Sequence, residues 1–328
     1  MVIFGAIVFF VFFFVVGSFA IFCIIVIGTM APIVKMPRPT PVAAIPIASP
    51  NISSMYNTSM ILTYIYKISN ICVPLPTGSE TFFIRHRVCI GMQVLKTYCP
   101  ARAYELAVRY VLTKGYWQET EDGKPTIESG PITIVLDHPM ADPRVSETSP
   151  FKAASHQAYA ENLLHGEDEN KFEYTYWRRL HQWGDELVHD DTAVVNDQIA
   201  YMTQKLKTDP RSRRAVAITW NPVIDQQVAD VPCLQLVQCA VRDHRLQMSV
   251  VFRSNDIHLA LSANMYGLIH KQQQIADAVG VPVGRYTHVA LIPHIYYERD
   301  GDTLPATIRS LGITPDQLPD FLVSALKI

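Results

Sequence analysis

Residues 232–256 read Pro-Cys-Leu-Gln-Leu-Val-Gln-Cys-Ala-Val-Arg-Asp-His-Arg-Leu-Gln-Met-Ser-Val-Val-Phe-Arg-Ser-Asn-Asp. Leu234 to Val241 and Leu246 to Phe252 read as strands, and the polar turn Arg242-Asp243-His244-Arg245 joins them into a predicted β-hairpin. Outward from it, Ala101 to Thr113 has helical spacing stopped by Gly115, and Pro131 to Asp137 is β-branched and strand-like. Helices are expected over Ser155 to Leu164, Asp197 to Leu206 and Asn264 to Val279, the last closed by Gly280. Further strands are expected at Ala215 to Trp220 and Tyr286 to Tyr297. Strands and helices mix without strict βαβ alternation, which predicts an α/β (α+β) domain around a mixed sheet.

The 328-residue chain carries a formal net charge of −2 and no long basic run, so its bulk charge gives no footprint for nucleic acid. Val2 to Thr29 contains no charged residue and is mostly Phe, Val and Ile, longer than a bilayer-spanning helix requires. Residues 1–30 are therefore expected to be an apolar transmembrane helix, or else a mis-assigned extension ahead of a start at a later Met such as Met92. Lys35 and Arg38 follow the run, which by the positive-inside rule places the remainder in the cytoplasm. Residues 31–95 combine a Pro-rich linker with a segment of no clear period, and the catalytic domain is expected over 96–328. The six cysteines form no C-x-x-C pair, which disfavours a zinc or redox motif and fits a reducing compartment. Asn51-Ile-Ser53 and Asn57-Thr-Ser59 match the glycosylation pattern, which would need the opposite topology.

The chemistry centres on Cys233. A cysteine thiolate is a strong nucleophile, and nearby cations raise its thiolate fraction. Arg253 ends the second strand of the hairpin, and Arg213-Arg214 opens another strand. Guanidinium forks with the Ser254 hydroxyl beside them match phosphate oxygens. The Asn264 amide offers an acceptor and two donors, which complements the O4 and N3–H edge of uracil. His294-Ile-Tyr296 puts two polar side chains on one strand face.

Asp209-Pro-x-Ser-Arg-Arg, Val-Pro-Cys-Leu-Gln, Phe-Arg-Ser-x-Asp, Ala-Asn-Met-Tyr-Gly-Leu and Pro-His-Ile-Tyr-Tyr together resemble the thymidylate synthase family, closest to its archaeal-type branch and related to pyrimidine nucleotide hydroxymethylases. The likeness covers roughly Ala101 to Asp300. It implies a three-layer fold whose mixed sheet forms the interface of an obligate homodimer. Cys233 would add to C6 of dUMP, and C5 would then attack the one-carbon unit of 5,10-methylenetetrahydrofolate, with no metal. Arg253 and Ser254 would hold the phosphate, with Arg213 and Arg214 reaching across from the partner subunit and Arg144 as a fourth arginine. Asn264 would read the base, His294 and Tyr296 would bond the deoxyribose hydroxyl, and Asp256 would orient the pterin. Glu161 would be a general acid/base through water, and Tyr176 joins the catalytic set.

The sequence departs from the family at Leu234 for a histidine, Ala260 for a glycine and Ile292-Pro293 for Gly-Asp. These leave the nucleotide site whole but touch the folate half. The expected activity is methylation of dUMP to dTMP; the alternative is 5-hydroxymethylation of dUMP or a cytidine nucleotide with the same folate. A non-catalytic, membrane-anchored nucleotide-binding protein is the remaining reading, and retention of Cys233 argues against it.

Overall fold

In a computed structural model, the residues described are the backbone of 11–16 and 19–24, and residues 91–166, 174–184 and 196–328 in full. The chain divides into two units, Met1–Glu80 and Thr81–Ile328. In the first, β1 (Val11–Val16) pairs antiparallel with β2 (Phe19–Ile24). The described part of the apolar run is thus paired strand where a helix was expected, in keeping with the extended preference of Val, Ile and Phe. No helix among the described residues is long and apolar enough to cross a membrane. The Pro-rich stretch after it lies outside the described residues.

The second unit runs β3 (Gln93–Thr97), α1 (Pro100–Lys114), β4 (Tyr116–Glu119), β5 (Pro125–Glu128), β6 (Ile132–Leu136), α2 (Ala153–His165) and α3 (Tyr176–His181). It continues with α4 (Gln198–Thr208), β7 (Ala215–Ile218), β8 (Leu234–Arg242), β9 (Arg245–Phe252), β10 (Asn255–Asp256) and α5 (Leu261–Val279). It closes with β11 (Val283–Ala290), β12 (Pro293–Ile295), α6 (Leu304–Ser310) and α7 (Asp320–Leu326). Six strands form a mixed sheet in the order β3-β6-β11-β9-β8-β7, and four form a second in the order β10-β12-β5-β4. The mixed sheet expected from the sequence is present.

The hairpin β8–β9 turns at Asp243 and His244, both at positive φ (50° and 57°), the left-handed conformation that a two-residue hairpin turn requires. A bulge between Leu234 and Leu236 then shifts the register by one residue. The expected single strand Tyr286 to Tyr297 is instead two strands in different sheets. β11 ends at Ala290, Leu291 N–H donates to the Phe252 carbonyl, and β12 pairs with β10 and β5. Pro293 lacks the N–H that a continuous ladder would need there.

The core lies between the six-stranded sheet and the helices. α5 is buried along most of its length, through Leu261, Met265, Leu268, Ile269, Ile275 and Ala276. It starts three residues before the expected Asn264, which places that asparagine inside its first turn. At Gly267 a Cβ would lie 3.0 Å from Tyr159 and Leu163 of α2, so the missing side chain lets α2 pack closely against α5.

Candidate active site

The shifted hairpin register brings Cys233 opposite Arg253: Arg253 N–H donates to the Cys233 carbonyl at 2.9 Å. The Arg253 side chain turns back over the loop ahead of the cysteine. Its Nε donates to the Pro232 carbonyl at 3.0 Å and its Nη2 to the Val231 carbonyl at 2.9 Å. Two carbonyls of the strand entry are thereby fixed by one guanidinium. Cys233, just ahead of β8, is only partly buried, whereas Cys239 within β8 is fully buried and inert as a core residue. Burial pushes the Cys233 thiol above its ordinary value; Arg253 pulls it down, and Asp230 and Asp256 push it up.

Tyr176, at the start of α3, accepts the Leu234 N–H at 3.2 Å and so pins the residue next to the thiol. Tyr174 packs beside it, with ring centroids 5.7 Å apart, and burial raises its hydroxyl to about 12. Tyr159 is also raised by burial, as is Tyr296. The thiol is therefore surrounded by neutral phenols that can donate hydrogen bonds but carry no charge at neutral pH.

The parallel pair β10–β12 sets Asn255 against Pro293 and Asp256 against His294. Ser254 Oγ lies 3.2 Å from His294 Nδ1, and the rings of His294 and Tyr296 meet edge to face with centroids 5.0 Å apart. The Asp256 carboxylate accepts the N–H groups of His258 and Leu259 on Oδ1 and pairs with Arg299 on Oδ2 at 2.5 Å. Arg299 also reaches Asp300 and lies over the Tyr296 ring. Asn264 is buried on α5; its Oδ1 accepts from Asn255 Nδ2 at 3.1 Å and its Nδ2 donates to the Tyr159 hydroxyl at 2.7 Å.

Cys233, Tyr176, Arg253, Ser254, Asp256, Asn264, His294 and Tyr296 thus gather where the hairpin, β10, β12 and α5 meet. Glu161 and Arg144 do not join them. Glu161 is exposed on α2, paired with Gln157 at 2.6 Å and His165 at 3.5 Å on its own helix. It stands two residues from Tyr159, which a helix turns to the other face. Arg144 pairs with Asp142 at 3.0 Å and lies 3.3 Å from His270 Nε2, with its guanidinium 5.7 Å from the Tyr266 ring. Tyr266 bonds Gln157, on the outer side of α2 and α5 away from Asn264.

Arg213 and Arg214 are exposed and stand just before β7, whose Ala215 pairs with Cys239 and Ile218 with Leu236. Strand rise over the residues from Cys233 to Cys239 sets the pair about 20 Å along β8 from the thiol, beyond reach within one chain.

Sequence reasoning missed Tyr159, Tyr174, Asn255, His288 and Arg299. Arg299 has a visible signal, a cation three residues beyond Tyr296; the others depend on packing across elements. Glu128, the cross-strand partner of His294, was also missed, and burial raises its carboxyl despite the histidine. Among the described residues no group of His, Cys, Asp or Glu could hold a metal ion.

A family model described as "Thymidylate synthase" matches residues 151–323. Three archaeal proteins described as "Putative thymidylate synthase" are similar. That of Methanocaldococcus jannaschii is 39% identical over 218 residues, 64% of this chain and 94% of that protein. That of Methanosarcina acetivorans is 35% identical over 58% of this chain and 83% of its own length. That of Methanococcoides burtonii is 30% identical over 69% and 99% respectively.

Proposed function

Because the chain belongs to the thymidylate synthase family and is a one-carbon transferase of that kind, we propose that it methylates C5 of dUMP, with Cys233 as the nucleophile and 5,10-methylenetetrahydrofolate as co-substrate. The observation that carries this reading is the hairpin register that sets Arg253 against Cys233 and ties its guanidinium to the loop carrying the thiol. A cation beside a partly buried thiol lowers the cost of forming the thiolate. The same arginine keeps Nη1 for a phosphate oxygen, and the hydroxyl of Ser254, the next residue, would add a donor.

Cys233 Sγ gives its proton to solvent and adds to C6 of the pyrimidine as the thiolate. C5, once joined to the one-carbon unit, loses its own proton to solvent, and the thiolate leaves C6 again as the C5–C6 double bond re-forms. Asn264 holds the base edge as charge moves to C5 and O4. Tyr176 and Arg253 keep the thiol loop still, which limits the motion needed to reach C6. His294 and Tyr296 face the deoxyribose hydroxyl. Asp256 and the neutral Tyr159 and Tyr174 suit a flat, hydrogen-bonding heterocycle, and Asp256 would accept from its ring N–H groups. When bound, the folate supplies the one-carbon unit and the hydride.

Arg213 and Arg214 would complete the phosphate site of a neighbouring copy in a homodimer, since their own Cys233 is out of reach.

The test is Cys233→Ala, assayed with dUMP and methylenetetrahydrofolate. Turnover falls by on the order of a thousandfold or more, while dUMP affinity by calorimetry changes only a few-fold. Mass analysis of the product separates dTMP, formed in step with dihydrofolate, from a 5-hydroxymethyl nucleotide. Undiminished turnover by the Cys233→Ala protein would rule the proposal out.

A further inference from the structure

One hydrogen-bonded chain runs through the interior into the site. Tyr286 hydroxyl lies 3.0 Å from His288 Nδ1, and His288 Nε2 lies 2.8 Å from Asn255 Oδ1. Asn255 Nδ2 then meets Asn264 Oδ1 at 3.1 Å, and Asn264 Nδ2 meets the Tyr159 hydroxyl at 2.7 Å. Tyr286 and His288 are fully buried, and Asn255 and Asn264 nearly so. Phe252 stacks on the His288 ring at 4.6 Å, which holds the plane of the imidazole, and turning the ring over within that plane would give up its bonds to Tyr286 and Asn255.

The direction of this chain follows from its buried end. The Tyr286 hydroxyl has His288 Nδ1 as its partner among the described residues. Its proton must go there, because an O–H buried with no acceptor is costly. Nδ1 of a neutral imidazole then accepts and Nε2 carries the hydrogen. His288 is held neutral by burial, which lowers it to about 3. Nε2–H donates to the Asn255 oxygen, so the Asn255 amide nitrogen donates to the Asn264 oxygen. The Asn264 nitrogen is left on the Tyr159 side. Each step admits one donor and one acceptor, so the order propagates from Tyr286 to the base-facing amide.

We propose that the buried chain Tyr286–His288–Asn255 fixes which way the Asn264 amide faces and thereby selects uracil over cytosine. This rests on the reading of Asn264 as the base contact. An asparagine alone cannot make the choice: turned over, its edge fits cytosine N3 and its 4-amino group as well as it fits uracil N3–H and O4. Locked with its remaining oxygen lone pair toward N3 and its remaining N–H toward position 4, it bonds uracil. Cytosine in the same pose meets acceptor with acceptor and donor with donor. Asn255 and His288 are positioning residues that never touch substrate.

Two substitutions test the direction. Tyr286→Phe removes the proton that orders the chain. Asn255→Asp puts an acceptor where Asn264 now meets a donor, which turns the Asn264 nitrogen inward. The readouts are kcat/KM for dUMP and dCMP, calorimetric affinity for both nucleotides, and the His288 tautomer by 15N NMR. The expected wild type shows the Nε2–H tautomer and binds dUMP in preference. Tyr286→Phe shows mixed tautomers and a dCMP:dUMP ratio raised about tenfold, and Asn255→Asp moves the ratio further the same way. A wild-type Nδ1–H tautomer overturns the inference, as does an unchanged ratio in folded variants that still bind dUMP. Absence of any pyrimidine nucleotide binding by the wild type would instead bring down the functional reading beneath it.

Discussion

The guanidinium of Arg299 lies 2.5 Å from the Asp256 carboxylate while its central carbon stands 4.5 Å from the centre of the Tyr296 ring. It also contacts Asp300 at 2.6 Å. One cation therefore joins the carboxylate that would face the pterin to the phenol that would face the sugar. Arg299→Ala is expected to raise KM for both dUMP and the folate about three- to tenfold with a smaller change in kcat. Arg299→Lys, which keeps the charge but cannot fork across two carboxylates, recovers part of the loss. Because the Arg299 side chain is 44% exposed, the stability cost stays near 1 kcal/mol or below. Wild-type KM values in Arg299→Ala would make the contact incidental.

The thiol titration has a sign for each neighbour. Burial raises Cys233, Arg253 opposes it, and Asp230 adds to it. Alkylation by iodoacetamide follows the thiolate, so the midpoint of its pH profile reads this balance. Arg253→Ala is expected to move the midpoint to higher pH, and Asp230→Asn to lower pH. A shift in the opposite direction in either variant would contradict the electrostatic account.

Arg179 and Asp225 form a buried two-point pair, with Nη2–Oδ1 at 2.7 Å and Nη1–Oδ2 at 3.1 Å. Arg179 also donates to the Thr219 carbonyl, and Asp225 accepts from Asn221 N–H. The pair anchors the loop that leads from β7 to Cys233. Removing either partner leaves a buried charge alone and is expected to cost about 3–5 kcal/mol. Urea unfolding of Arg179→Ala checks this; a loss within 1 kcal/mol or so would mean that water reaches the pair.

Lys271 is fully buried on α5, with its Nζ 3.0 Å from His181 Nε2, 3.0 Å from Gln274 Oε1 and 3.5 Å from the Leu164 carbonyl. Burial lowers it to about 8. The unfolded chain titrates this group near 10.4, so between the two values the unfolded state binds more protons and stability rises with pH. Lys271→Met should lack that rise. The stability difference between wild type and variant is expected to change by about 2 kcal/mol between pH 7.5 and 9.5. A difference independent of pH would mean that the ammonium is solvated.

The hairpin and the helices that flank it were legible because each is specified locally, by alternation, helical spacing or a stop at Gly115 and Gly280. That Cys233 lies near the far end of β9 was legible for the same reason, since a hairpin pairs residues about its turn. That Arg253 stands against it was not, because symmetric pairing would set Ser254 there and the bulge between Leu234 and Leu236 moves the register by one. The break between β11 and β12 was not, because an apolar run with one proline does not state which sheet each half joins. Asn255 and Tyr159, which meet Asn264, and His288, which meets Asn255, stayed hidden because those contacts arise only through the crossing of β11, β10 and α2 over α5. That crossing depends on the single missing side chain at Gly267. Arg144 and Glu161 were expected in the site through the family resemblance alone; Glu161 lies on the exposed face of α2, and Arg144, in the loop ahead of that helix, reaches Asp142 and His270.

β7 meets β8 at Cys239 and not at Cys233, so where the arginine pair serves a nucleotide, no single copy of the chain holds that pair and its own thiol within reach of one molecule. Competence then becomes a property of concentration. Dilution below the dissociation constant of the pair would extinguish turnover without unfolding anything. Two variants dead on their own, one without the thiol and one without the pair, would on mixing regenerate one working site in each hybrid.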